Sequence, residues 1–167
     1  MFQRLLVTVL LAGLGLPALC QQPRTTPPTP VPDYIIYDAF FYRVKWLSDL
    51  ADKYGSQGKA ASAVHLRSLV QMQAGLTAQE DAVLKAIAAD WRAGDAGIVS
   101  AGRALAKAGA AANAAQLQAL ALQRQQLVTN HVSQLQAAMG TARFQRLDSF
   151  VRATSTVKGG AAAQMPK

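Results

Sequence analysis

The sequence is short of the residue types on which most catalytic and metal sites are built. Among 167 residues there is one cysteine, Cys20, one glutamate, Glu80, and two histidines, His65 and His131. A lone cysteine makes no internal disulfide, so packing has to hold the fold together. The histidines lie 66 positions apart and neither belongs to an HxxxH or HExxH pattern, so no metal site is signalled. In helices with apolar neighbours, both are expected to be core or boundary residues. A GxSxG elbow, a GxGxxG turn and a P-loop are all missing, which removes the common signatures of nucleophilic and nucleotide chemistry. Charged residues make up only 16% of the chain, and no run of five like charges occurs.

Alanine, leucine and glutamine are abundant, and the 51% hydrophobic fraction contains few β-branched residues. These are helix formers, so the balance favours helices over strands. Formal charge is +8. Without the first 20 residues, 16 basic residues face 9 acidic ones, leaving +7. Such a chain is attracted to anionic surfaces. Its basic residues are scattered, however, with Arg143, Arg146 and Arg152 the tightest local group, which reads as a solvated helical face.

Residues 1–20 read as a secretory signal peptide. Arg4 provides the positive start, Leu5 to Leu16 an apolar stretch, and Ala18-Leu19-Cys20 a cleavage site before Gln21. The apolar stretch falls short of the roughly 20 residues of a transmembrane helix. Pro17 and Leu19 stand where a lipobox has an aliphatic and a small residue, so lipidation at Cys20 is not expected. These features predict a periplasmic or extracellular protein. Residues 21–33 (QQPRTTPPTPVPD) form a proline- and threonine-rich linker with an extended, PPII-like expectation.

Beyond the linker, apolar residues recur at three- and four-residue intervals. Asp33 is a suitable N-cap for a first helix to about Tyr54, striped by Tyr37, Phe40, Phe41, Val44, Leu47, Leu50 and Ala51, with Trp46 at the stripe's edge. Gly55 and Gly58 are expected to stop it. A second helix fits Ala60 to Ala74, with Val64, Leu66, Leu69, Val70 and Met72 as its apolar contacts. Thr77 followed by Glu80 makes a capping box for a third, carrying Val83, Leu84, Ile87, Ala88 and Trp91. Gly94 to Gly97 either breaks this helix or bends it before Ile98 to Ala108. A long helix follows from about Asn113 to Met139, in which Leu117, Leu120, Arg124, Leu127, Val128, His131, Leu135 and Met139 share the helical period. Gly140 and Thr141 separate it from a last helix bearing Phe144, Leu147, Phe150 and Val151. A disordered tail is expected from Thr154. The fold class is therefore all-α, an antiparallel bundle of four to five helices over residues 34–153.

Asp49 and Asp52 are one turn apart, but Lys45 and Lys53 beside them favour ion pairing over a catalytic acid pair. Aromatics crowd the first helix, and Tyr34, Tyr42 and Trp46 cannot all share the direction of Phe40 and Val44. A possible interaction surface is therefore assigned to Tyr34, Tyr37, Phe41, Tyr42 and Trp46. The mix of aromatic and basic residues from Phe40 to Lys45 follows helical spacing, which suits core packing better than nucleic-acid stacking.

Three segments, YDAFFYRVKWL at 37–47, GLTAQEDAVLKAIAADW at 75–91 and HVSQLQAAMGTARFQRLDSFV at 131–151, together resemble a family of uncharacterised exported all-helical bacterial proteins. That resemblance spans most of the chain beyond the linker and implies the fold but no activity. The LTAQ stretch, Leu76 to Gln79, is similar to the LTxxQ motif of Spy/CpxP-like periplasmic chaperones, a similarity that implies a chaperone-like role.

These readings predict an exported, non-catalytic helical binding module of the cell envelope, without cofactor, engaging a protein partner or a second copy of itself. The alternatives are a basic protein held electrostatically on anionic envelope components, and an enzyme whose site is assembled from separate helices. Neither nucleic acid nor a membrane span in the mature chain is expected.

Overall fold

A computed structural model describes residues 31–156. The leader, most of the proline-rich linker and the last eleven residues of the chain lie outside the described residues. Five helices pack together: α1 (Asp33–Ser56), α2 (Ala60–Ala74), α3 (Ala78–Gly109), α4 (Ala114–Met139) and α5 (Thr141–Thr156). No strand occurs among the described residues.

The helical period of α1 turns Tyr37, Phe40, Phe41, Val44, Leu47 and Ala51 inward, all buried. Asp33 is not the cap. Pro32 holds that position, its carbonyl accepting from the N–H groups of Ile35 and Ile36, while Asp33 begins the helix and reaches Arg152. Gly55 stays helical, and the turn is made at Gly58, whose φ of +72° disfavours any residue with a side chain. Of the stripe read from the sequence, α2 buries Val70 and packs Leu66 and Leu69 against the core, but it buries Ala63 as well and leaves Val64 and Met72 62% and 58% exposed. Val64 follows Ala63 by one residue, a rotation of about 100° around the helix, so burying Ala63 turns Val64 outward.

Both bonds of the capping box form. Thr77 Oγ1 accepts from Glu80 N–H at 3.2 Å, and Glu80 Oε2 accepts from Thr77 N–H at 2.8 Å. From there α3 is a single helix of 32 residues. The Gly94–Gly97 stretch does not break it, because Gly94 serves packing: a Cβ there would lie 2.9 Å from Leu127 Cδ1 on α4. Asn113 does not cap α4 with its side chain; its amide donates back to the carbonyls of Leu105 and Gly109, closing the α3–α4 turn. α5 continues through Thr154, with Thr154 Oγ1 donating to Phe150 O at 2.9 Å, so the chain is still helical where a disordered tail was expected to begin.

The core joins the α1 stripe to Val70, Leu84, Ile87, Ala88, Trp91, Val128, Leu135, Leu147 and Val151. Trp91 is fully buried against Phe41, ring centroids 6.0 Å apart, a contact worth roughly 1 kcal/mol beyond its area. From Ala96 to Gln126 no residue is buried. There the end of α3 and the start of α4 contact chiefly each other, forming a two-helix arm in which Gly102 faces Leu120.

Candidate functional site

Three places gather polar or aromatic groups, and the first lies where α1, α3 and α4 meet. Asp95 of α3 is 1% exposed and sits between two guanidinium groups. Arg92 Nη1 is 3.0 Å from Asp95 Oδ2, and Arg124 Nε is 2.8 Å from Asp95 Oδ1. Arg124 Nη2 also reaches Asp38 Oδ2 on α1 at 3.0 Å. The Arg124–Asp95 approach is an ion pair off the line of an N–H···O bond, and neither atom has another hydrogen-bond partner. Asp38 Oδ1 and Trp91 Nε1 are likewise buried without one. Burial pushes the Asp38 carboxyl above the usual carboxylate range; Arg124 opposes this and Asp95 adds to it. Two carboxylates and two guanidinium groups neutralise one another here. The junction is a clamp between three helices, with both acids engaged by cations rather than poised as a base.

Beside it, Arg92 connects the junction to the outer face of α1. Its guanidinium carbon lies 5.5 Å from the centre of the Tyr42 ring. Tyr42 and Trp46, one helical turn apart, are 51% and 50% exposed. With Lys45, Asp49 and Arg92 they line a cavity of about 60 Å³. Lys45 pairs with Asp49 and Arg92 with Asp95, so the charges around the rings are engaged.

The third place is a groove of about 310 Å³ between α1, α4 and α5, walled by Tyr34, Tyr37, Val128, Val132 and Phe144. That volume is at the low end of ligand pockets, but the polar groups along it tie α5 to α1. Tyr37 Oη donates to Asp148 Oδ1 at 2.9 Å. Arg152 donates to Asp148 Oδ2 and to Asp33 Oδ1, each at 2.8 Å. The Tyr37 ring stacks on Phe144, centroids 6.1 Å apart and planes 9° apart. Burial, followed by the bond to Asp148, pushes the Tyr37 hydroxyl far above its ordinary range. The hydrogen bond from Arg152 holds Asp33 below the usual carboxylate range.

The five residues assigned to one interaction surface therefore separate. Tyr37 and Phe41 are 2% and 0% exposed and belong to the core, because the helical period carries them inward with Phe40 and Val44. Tyr34 lines the groove, and only Tyr42 and Trp46 form an exposed aromatic shelf. His65 is exposed on α2, neither core nor boundary, whereas His131 is buried with Nδ1 2.8 Å from Leu127 O. Asp49 pairs with Lys45, while Asp52 pairs with Arg67 of α2 at 2.8 Å rather than with Lys53.

The junction residues Asp38, Arg92 and Asp95 were not singled out by the sequence. One signal was present: Arg124 stands in the apolar register of α4, and an inward charge needs a partner. Among the described residues no group of three His, Cys, Asp or Glu side chains could hold a metal ion. No described helix is long and apolar enough to cross a membrane. In the LTAQ stretch, Glu80 stands where the LTxxQ pattern has glutamine, and Thr77 and Glu80 are both engaged in capping α3. No protein-family model, no curated protein and no solved structure matches the chain.

Proposed function

We propose that this chain is an exported, non-catalytic helical module of the cell envelope that binds another protein chain through the outer face of α1. The observation that carries this reading is the half-exposed pair Tyr42 and Trp46 with Arg92 stacked beside them. Burying a large apolar side chain is worth roughly 1.5–3 kcal/mol, and the fold leaves much of that unrealised at two adjacent rings. Trp, Tyr and Arg are also the residue types that dominate binding energy at protein interfaces. Engagement of every charged group at the junction with an opposite charge favours binding over catalysis. A chaperone-like action on unfolding clients is one form this role would take.

The test is site-specific photo-cross-linking in the native host from position 46, with Val64, 62% exposed on α2, as the control position. A discrete adduct from position 46 and none from position 64 is the expected result. An adduct of twice the chain's mass would identify self-association. Equal labelling from both positions, or none from position 46, overturns the reading.

A second reading, attachment to anionic envelope surfaces, has one observation in its favour. Residues 96–147 contain no acid but hold Arg103, Lys107, Arg124, Arg143 and Arg146. Arg124 and Arg143 are engaged with acids elsewhere, which leaves Arg103 and Lys107 on the arm and Arg146 on α5 as its charge. Binding to acidic lipid vesicles that collapses as salt rises is the expected signature.

A further inference from the structure

We infer that the Asp38–Arg124–Asp95 junction is an acid-operated latch: a proton shared between Asp38 and Asp95 ties the base of the two-helix arm to α1, and its loss lets the arm loosen.

The junction stands where the arm begins. Asp95 is the last buried residue of α3, and Arg124 lies two positions before the arm's end at Gln126 of α4. Nothing from Ala96 to Gln126 is buried, so burial does little to hold the arm to the rest of the bundle. Arg124 supplies a tie across its base. Nε meets Asp95 Oδ1 at 2.8 Å, and Nη2 meets Asp38 Oδ2 of α1 at 3.0 Å.

Neighbouring nitrogens of one guanidinium thus hold two carboxyls side by side. Each carboxyl has one buried oxygen that accepts no hydrogen bond, Asp38 Oδ1 and Asp95 Oδ1. Ionised carboxylates only accept, so these two oxygens have nothing to offer each other. One proton changes that. Taken from solvent by Asp38 Oδ1, it turns that oxygen into a donor, and Asp95 Oδ1 is an acceptor on the same guanidinium. Rotation about the broad last torsion of each side chain brings the two oxygens into line. The junction then holds one carboxylate against two guanidinium groups and gains one positive charge. The Arg92 and Arg124 side chains, 42% and 41% exposed, share that charge with water.

The surroundings favour the proton. Burial raises the Asp38 carboxyl above its ordinary 3.8; Arg124 of α4 opposes this, and Asp95 of α3 adds to it. Arg92 of α3 is engaged with Asp95 Oδ2. Among the charged groups of α5 and α2, Arg152 meets α1 at Asp33, Asp148 at Tyr37 and Arg67 at Asp52. On α1 itself Tyr34 and Tyr42 stand one turn to either side. When the arm parts from α1, Asp38 is rehydrated and returns toward its ordinary value. The closed junction therefore binds the proton more tightly than the open one, and acid favours closure. That support is complete below 3.8 and is lost as pH rises through the closed-state value. Besides Arg124, the charged residues of the arm are Arg103 and Lys107, so the latch governs how firmly they are held.

Two spin labels read the latch in the chain comprising residues 21–167, which has no cysteine of its own. One is attached through K107C on the arm and the other through Q57C at the far end of α1. Their distance distribution is expected to be narrow at pH 4 and broader at pH 7. D38N carries a neutral side chain at every pH and is expected to stay narrow at both. Its comparison with the unsubstituted Asp38 chain at pH 7 stands whatever acid does to the other helices. Titration of the Asp38 carboxyl carbon by nuclear magnetic resonance is expected to give a midpoint above 3.8. In D95N, with circular dichroism unchanged, that midpoint is expected to fall, because the neighbouring negative charge is gone. Equal widths for Asp38 and D38N chains at pH 7 overturn the latch. A midpoint at or below 3.8 does the same, and one that D95N leaves unmoved shows that the proton is not shared and overturns it too.

Discussion

Tyr37 of α1 donates a hydrogen bond of 2.9 Å to Asp148 of α5, joining residues 111 positions apart in the sequence. Because the Tyr37 ring is buried and stacked on Phe144, this bond helps fix α5 against α1. Replacing Tyr37 with Phe keeps the ring and removes the donor. Hydrogen bonds to charged groups contribute about 1.5–3 kcal/mol, and Arg152 still serves Asp148, so a loss near the lower value is expected in urea unfolding. Circular dichroism of the folded Y37F variant should be unchanged.

The same hydroxyl sets an alkaline limit. Its folded value is raised above the ordinary 10.0. Above that pH the unfolded chain has lost a proton that the folded chain retains, so the unfolded state binds fewer protons and stability falls as pH rises. The contribution is fully present below pH 10 and lost above it as the pH approaches the folded value. Denaturation midpoints should therefore decline more steeply above pH 10 in the wild type than in Y37F. Parallel alkaline limbs would show that the hydroxyl is not the group responsible.

Arg124 is the one side chain that pairs with acids on two other helices at the α1–α3–α4 junction. Removing one partner of a buried ion pair costs about 3–5 kcal/mol, because the other charge is left behind. Arg92 remains on Asp95 and the Arg124 side chain is 41% exposed, so R124M is expected at the lower end, about 3 kcal/mol. R124K should recover only part of it, since an ammonium cannot present a planar fork to two carboxylates. Replacing Asp38 by Asn together with R124M removes the carboxylate that loses its cation, while Arg92 still serves Asp95, and should restore much of the loss. If R124M costs less than about 1 kcal/mol, the junction behaves as a surface ion pair.

How much of this was legible in advance follows from which distances are local. The Thr77–Glu80 box spans three residues, and both of its bonds are present. The stripes of α1 and α4 are decided by the period of large apolar side chains, and most of the residues they assign inward are buried or half-buried. α2 was harder because Ala61, Ala63, Val64, Leu66, Leu69, Val70 and Met72 put apolar groups on every side, so several stripes satisfy the period. The junction depends on which helices are neighbours in space. Periodicity places Arg124 inward, but only the packing brings Asp38, 86 positions away, to meet it. For the aromatic shelf, the period separates Trp46 from the stripe but also turns Tyr37 and Phe41 inward, which a count of clustered aromatics overlooks.

Asp38 has an acid-side consequence of opposite sign to the usual one. Burial raises its folded value above the ordinary 3.8. The folded chain then holds a proton more readily than the unfolded chain, and stability falls as pH rises from 3.8 through the folded value. Above that window the penalty persists. Asparagine imitates the protonated side chain at all pH values, so D38N should be more stable than the wild type at pH 7 and equal to it near pH 3. Asp33, lowered by Arg152, works the other way: its stabilisation is present above 3.8 and fades as pH falls through its folded value. A D38N variant less stable than the wild type at neutral pH would mean that Arg124 outweighs burial at this carboxyl.

Gly94 and Gly97, three residues apart in α3, should respond oppositely to alanine. Within a helix, glycine is less favourable than alanine by about 0.8–1.0 kcal/mol. Nothing lies within 4 Å of a Cβ built at Gly97, so G97A should gain close to that amount in urea unfolding. At Gly94 the same gain meets Leu127, whose Cδ1 and Cδ2 would lie 2.9 and 3.2 Å from the new methyl. Leu127 packs against the core, so moving it displaces neighbours as well, and overpacking of this kind costs about 1–3 kcal/mol. G94A is therefore expected to lose stability despite its better helix propensity. Trimming the obstacle, as in G94A/L127A, should make the alanine at 94 favourable relative to L127A alone. Equal gains from G94A and G97A would mean that α3 and α4 have room to part at this point, and Gly94 would then be no more than a tolerated helix interruption.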